Sequence, residues 1–292
     1  MAVPDEDWSD AVLVLLGHGS TQNDGSGVPV YQHAAELRRR KLFAAVHEAF
    51  WKQEPNVKEI LAGILASRVF IVPLFISEGY FSSRVIPQEL GLSGAPTPPP
   101  PVARQPRVDE VEAVPPQTSI FRYCKPIGTH AGMTQVLLGR ARGVVAQFPF
   151  PRPPKPGDIT LFIAGHGTER DGNSRAAIER QVEAIRARNE YADVHGIFLE
   201  ETPRIEACYS LARTKNIVVV PFFISDGMHT REDIPVLLGE AKRTVQLRLA
   251  NRQPPWHNPT ERNGKLVWYA SAAGTAPEIA EVILDRVREA GH

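Results

Sequence analysis

From residue 158 onward, short apolar runs alternate with longer segments whose apolar residues recur every three or four positions. "DITLFIA" (158–164) is a compact β-rich run. In "SRAAIERQVEAIRAR" (174–188), Ile178, Val182 and Ile185 fall at i, i+4 and i+7, the spacing of an amphipathic helix. "DVHGIFL" (193–199) predicts a second strand. "PRIEACYSLAR" (203–213) predicts a helix opened by proline, whose missing N–H is harmless at the first helical position. "NIVVVPFFI" (216–224) is continuously apolar, β-branched and aromatic, which suits a strand buried on both faces. "REDIPVLLGEAKRTVQLRL" (231–249) reads as mostly helical, "KLVWYAS" (265–271) as a fourth strand and "PEIAEVILDRVREA" (277–290) as a closing helix. Strand alternating with helix predicts a parallel sheet covered on both faces.

The same order runs through the first half, because the chain repeats itself 148 positions on. Gly17-His18-Gly19-Ser20 falls on Gly165-His166-Gly167-Thr168, and "VPLFISEG" from Val72 on "VPFFISDG" from Val220. Ile86-Pro87 falls on Ile234-Pro235. Near the end of each half the offset drops by two, pairing Tyr123 with Tyr269 and Gly128-Thr129 with Gly274-Thr275. Several motifs keeping both order and spacing imply tandem duplication of a unit of roughly 140 residues, an ordinary domain size. The second strand of the first unit matches least well, and "AVHEAFW" (45–51) must carry it. The boundaries follow: a first unit over 1–147, a Pro-rich linker over 148–157 and a second unit over 158–292. The proline-rich stretch 95–117 then lies inside the first unit, opposite 251–264 in the second, both as polyproline or irregular excursions before the last strand. Each unit is expected to be a flavodoxin-like four-stranded parallel sheet flanked by helices, with a cleft between the two.

Composition narrows the function classes. The chain has 292 residues, and its 33 basic side chains balance 33 acidic ones, so bulk attraction to nucleic acid or anionic lipid is not expected. The acidic start "MAVPDEDWSD" is unlike a secretory signal, and no apolar run approaches the ~18 residues that span a bilayer. Two cysteines, Cys124 and Cys208, suggest neither a disulfide framework nor a Cys-rich metal site. A cytoplasmic monomer or homodimer is the expectation.

Ligands of an open parallel sheet bind beyond the carboxyl ends of its strands. In the second unit three polar residues sit at such ends: His166 after strand one, Glu200 after strand two and His229 beyond strand three. In the strand order 2-1-3-4, strands one and three are neighbours, so the two histidines would stand side by side. Two imidazoles and a carboxylate suit cobalt, nickel, iron or zinc, and equally suit proton transfer. Glu201 is adjacent to Glu200, and the strand boundary does not choose between them. The first unit is an internal control. His18 matches His166, but Lys52 stands at the position of Glu200 and Phe81 at that of His229. Neither replaces a metal ligand at neutral pH, so the first unit is read as a scaffold and the second as the working site. His130 also follows a strand end, where it either reaches the cleft or caps the next helix. His33, His47, His195 and His257 have no such placement.

"LFIAGHGT" followed by "VVVPFFISDGMHTREDIP" closely resembles the class II chelatases of the sirohydrochlorin cobaltochelatase, CbiX-like type, in their long duplicated form. The resemblance implies insertion of a divalent metal into a tetrapyrrole without ATP, in cobalamin or siroheme biosynthesis. Cobalt is the first expectation, with iron and nickel as other substrates. It places the catalytic, metal-handling histidines at His166 and His229 and an acidic partner at Glu200. It also implies a carboxylate-rich substrate, for which Arg170, Arg175 and Arg231 are the nearby cations, with Arg84 from the facing unit. The first half departs from the family pattern in lacking the second histidine and the acid. There is no His-rich or Cys-cluster tail, so no iron–sulfur centre is expected, and no GxxxxGK[ST] loop for ATP. The competing reading is a carrier that binds tetrapyrrole or metal without inserting it. Phosphoryl transfer ranks lower, because glycine rather than arginine precedes both histidines.

Overall fold

The computed structural model describes residues 7–20, 24–92, 119–167 and 172–291. The first unit runs β1 (Ala11–Gly17), α1 (Val28–Arg40), β2 (Ala45–Phe50), α2 (Val57–Ala62), β3 (Arg68–Pro73), α3 (Ile86–Glu89), β4 (Ile120–Tyr123) and α4 (Met133–Gln147). The second runs β5 (Ile159–Gly165), α5 (Gly172–Arg186), β6 (Asp193–Phe198), α6 (Cys208–Leu211), β7 (Asn216–Pro221), α7 (Ile234–Leu237), α8 (Lys242–Ala250), β8 (Thr260–Arg262), β9 (Lys265–Tyr269) and α9 (Ile279–Gly291). The sheets are ordered β2-β1-β3-β4 and β6-β5-β7-β9-β8. All pairings are parallel except β8 with β9. The first and third strands of each unit are therefore neighbours, as the expected order requires. Their central strands are buried on both faces, and alternate residues serve different layers. Leu13 and Leu15 enter a core shared by the two units, while Val12, Val14 and Leu16 face the outer helices of the first.

Two expectations change. The second sheet has a fifth strand: what reads as an irregular excursion over 251–264 ends in a hairpin, β8 to β9, through Asn263 (φ 48) and Gly264 (φ 70). Two successive positive φ values make a two-residue turn that matches strand twist, and Asn-Gly is its strongest sequence signal. The stretch 231–249 is mostly helical, as expected. It divides into a π-helical turn (His229–Asp233), α7 and α8, separated by a break at residues 238–241. The helix expected over 203–213 contracts to a 3-10 turn and α6. The proline-rich segment 95–117 lies outside the described residues.

The units are joined by exchange of their last helices. α4 packs on β7 and β9 of the second sheet, and α9 packs on β3 of the first. His33 is buried and donates from Nε2 to the Gly274 carbonyl (2.7 Å). At the equivalent position in the other unit, Gln181 accepts from Thr134 Oγ1 (2.7 Å). No described helix is long and apolar enough to cross a membrane.

Candidate functional site

β5 ends at Gly165, and His166 follows directly. Gly167 has φ +62, and a Cβ there would lie 2.5 Å from Glu201 Cγ, so only glycine turns the chain this tightly over Glu201. β7 ends at Pro221, and the loop beyond it leads into the π-helical turn that opens with His229. π turns are rare and displace a side chain relative to a regular helix. This one is anchored at two points. Thr230 Oγ1 donates to the Gly227 carbonyl (3.0 Å), and the buried Tyr269 phenol donates to the Thr230 carbonyl (2.7 Å). Burial holds the Tyr269 phenol well above its usual range, so it remains a donor.

These anchors bring the two imidazoles together. The rings of His166 and His229 meet edge to face with centroids 5.0 Å apart. His166 Nδ1 lies 2.9 Å from the Gly167 carbonyl, and His229 Nδ1 lies 2.7 Å from Asp233 Oδ2. Both partners accept, so each Nδ1 is the donor, and in the neutral ring each Nε2 is the nitrogen left with a lone pair. Glu200 Oε2 stands 3.6 Å from His166 Nδ1. The cavity beside the pair, about 320 Å³, is lined by His166, Glu200, His229, Glu232 and Asp233, together with Lys242 and apolar side chains of α7 and α8. Its charge is predominantly acidic and suits a cation. Among the described residues no three His, Cys, Asp or Glu side chains gather as a closed metal site. The arrangement is two imidazoles with a carboxylate behind one of them.

Glu201 takes a different place. It packs beneath Gly167, and its carboxylate is held by Arg175 (3.0 Å). Arg175 also donates to Glu179 (2.6 Å) and to the Thr202 carbonyl (2.9 Å), and it stacks over Phe198. Two of its three nitrogens, Nε and Nη1, are thus engaged within the unit. Arg231 is exposed but lines a different cavity, between the units. Arg170 lies outside the described residues. His130 does not line the histidine cavity. Its Nδ1 accepts from the Gly132 N–H (3.0 Å), and its Nε2 lies 3.4 Å from Glu289 on α9. His18 keeps the arrangement of His166, with Nδ1 2.9 Å from the Gly19 carbonyl, beside Phe75. Sequence reasoning missed Asp233, the residue that fixes the tautomer of His229. Its signal was present, since a carboxylate four residues after a histidine shares its helical face.

Comparisons with known proteins cover nearly the whole chain. A family model described as CbiX matches residues 12–144 and 160–290. A probable sirohydrochlorin cobaltochelatase of Halobacterium salinarum is 39% identical over 281 residues, 96% of this chain and 91% of the relative. Among solved structures, a multi-domain Deinococcus radiodurans protein described as structurally similar to chelatases superposes with a TM-score of 0.69 at 28% identity. The match covers 94% of this chain and 54% of that one. Bacillus subtilis SirB, solved with Fe3+, has a TM-score of 0.64 at 16% identity, covering 96% of this chain and 95% of that one, and supports the fold alone.

Proposed function

The chain belongs to the CbiX family, as a long form with two CbiX units, and on that premise we propose that it is a sirohydrochlorin cobaltochelatase acting at the second unit's histidine pair. The observation that carries the reading is the meeting of two imidazoles at one strand edge, each with Nδ1 engaged, beside an acidic cavity. A free-base macrocycle loses two pyrrole protons as the metal enters. His166 and His229 present Co2+ as substrate through Nε2 and then accept protons, and Glu200 relays the proton held at His166. Two neutral ligands release an ion more readily than a closed three- or four-ligand site does. Fe2+ and Ni2+ are admitted by the same donors.

No ATP enters the reading, because insertion is driven by exchange of two N–H bonds for metal–nitrogen bonds and the sequence carries no GxxxxGK[ST] motif. No iron–sulfur cluster enters either. Burial pushes both cysteine thiols up to about 12, and two thiols are fewer than the four thiolates a cluster usually takes. The test is anaerobic incubation of Co2+ and sirohydrochlorin with protein at a small fraction of the substrate. Absorbance change continuing through many turnovers is expected. A shift that stops at one equivalent of protein would replace the reading with that of a carrier.

A further inference from the structure

α4 and α9 are equivalent helices, and each lays one arginine across the turn that follows the last strand of the opposite unit. On the first sheet Arg286 is fully engaged. Its Nε and Nη2 donate to the Pro126 carbonyl (3.1 and 2.8 Å), Nη2 also to Thr129 Oγ1 (2.7 Å), and Nη1 to Glu289 (2.5 Å). Glu289 in turn faces His130. On the second sheet Arg140 repeats one of these bonds, from Nη2 to Thr275 Oγ1 (2.6 Å). Its Nε is buried without an acceptor, and Nη1 makes no hydrogen bond among the described residues. The cause is legible in the alignment. Gly143 stands where α9 has Glu289, and Ala276 where the first unit has His130. Removing both side chains leaves room, and a cavity of about 970 Å³ opens between the units, lined by Arg140, Gly143, Arg231 and Tyr269 among others.

We propose that this cavity is a carboxylate-binding site, in which a carboxylate from outside the chain takes the place beside Arg140 that Glu289 holds beside Arg286. Burial of the guanidinium lowers its proton affinity, and Asp226 and Glu278, which line the same cavity, raise it again. Neither forms an ion pair with Arg140: Asp226 instead accepts from the Ala272 N–H (2.8 Å) and from Thr275 Oγ1 (3.4 Å). Arg248 is occupied by Glu240 (3.4 Å) and the Pro255 carbonyl (3.1 Å). Arg231 makes no ion pair among the described residues and supplies a second cation on the cavity wall. A guanidinium with open donors selects planar oxyanions over halides. Arg231 and Thr230 line this cavity while His229 and Asp233 line the other, so the two flank one π turn. The carboxylate has two sources: an arm of the macrocycle, which rests on the chelatase reading, or a free small carboxylate, which does not.

The experiment compares the whole protein with Gly143→Glu and Arg140→Gln. A Cβ at residue 143 meets nothing within 4 Å, so Glu is accommodated and supplies the missing partner in cis. Two quantities are measured: the Kd for metal-free sirohydrochlorin by absorbance titration, and the unfolding midpoint in sodium succinate against sodium chloride at equal ionic strength. If the macrocycle supplies the carboxylate, both variants raise that Kd roughly tenfold while Co2+ binding stays unchanged. If a free carboxylate binds, succinate raises the midpoint of the parent protein by a few degrees and that of neither variant. Unchanged Kd together with no succinate effect overturns the proposal. A parent protein that binds no sirohydrochlorin sinks the chelatase reading instead, and the succinate comparison then decides this one alone.

Discussion

The carboxyl edges of the two sheets share a backbone and differ in chemistry. Each unit ends its first strand in Gly-His-Gly and follows its third with a π-helical turn, Phe81–Val85 in one and His229–Asp233 in the other. The turn is held alike in both. Ser82 and Thr230 donate back to the Gly79 and Gly227 carbonyls (3.2 and 3.0 Å), and Tyr123 and Tyr269 donate to the Ser82 and Thr230 carbonyls (2.9 and 2.7 Å). Beneath the Gly-His-Gly turns, Gln53 packs under Gly19 where Glu201 packs under Gly167, and Gln53 also accepts from the Ser20 N–H (2.9 Å). Around this common frame the second unit carries Glu200, His229, Glu232 and Asp233, and the first carries Lys52, Phe81, Arg84 and Val85. Every cation-attracting position except the first histidine is apolar or basic in the first unit. The π turn is therefore a property of the fold, kept by hydroxyl bonds, and the side chains that differ between the units are placed on it.

The comparison breaks most sharply at the histidines. His229→Ala should lower kcat/KM for anaerobic cobalt insertion by about a thousandfold or more, since it removes one of two ligands and a proton acceptor. His18→Ala should cost less than about tenfold, its edge having no second ligand. Equal losses in the same assay would mean that both edges work.

Asp233→Ala should reduce insertion by about 10–100-fold, the usual effect of removing the partner that orients a metal-binding histidine. The Co2+ Kd from calorimetry should weaken in parallel. Val85→Ala, the equivalent change in the first unit, should leave both untouched.

Tyr269→Phe and Tyr123→Phe should each destabilise by about 1–2 kcal/mol in urea unfolding, because each leaves a carbonyl of the π turn without its donor. Only Tyr269→Phe should also slow insertion. A slowed Tyr123→Phe enzyme would show that the first unit's turn takes part in the chemistry.

The smallest effect concerns the interface between units. Burial lowers the pKa of His33 from its ordinary 6.5. The neutral ring is the form the fold holds, so its contribution is complete above that value and is lost as pH falls through the lowered one. Gln181, its counterpart, does not titrate. His33→Gln should therefore flatten the fall in unfolding temperature between neutral and mildly acid pH. An unchanged acid limb would place the titration elsewhere.

Much of this was legible along the chain. The apolar periodicity showed alternating strands and helices, the internal repeat showed two units, and the strand order placed His166 beside His229. Asp233 and the β8–β9 hairpin carried local signals, an i, i+4 pair and Asn263-Gly264, that the helical reading of 231–249 and the proline-rich look of 251–264 obscured. Glu200 and Glu201 were indistinguishable until the turn at Gly167 drew Glu201 beneath it.

By itself the sequence determined what local sterics and side-chain alternation dictate: which runs are strands, where the glycines bend them, and which residue types stand at the strand ends. The tertiary structure alone decided the exchange of α4 and α9, the protein contacts that Arg175 and His130 make, and the opening beside Arg140. Those depend on which distant groups meet. The vacancy left by Gly143 has chemical meaning only once its helix lies against the other unit's sheet.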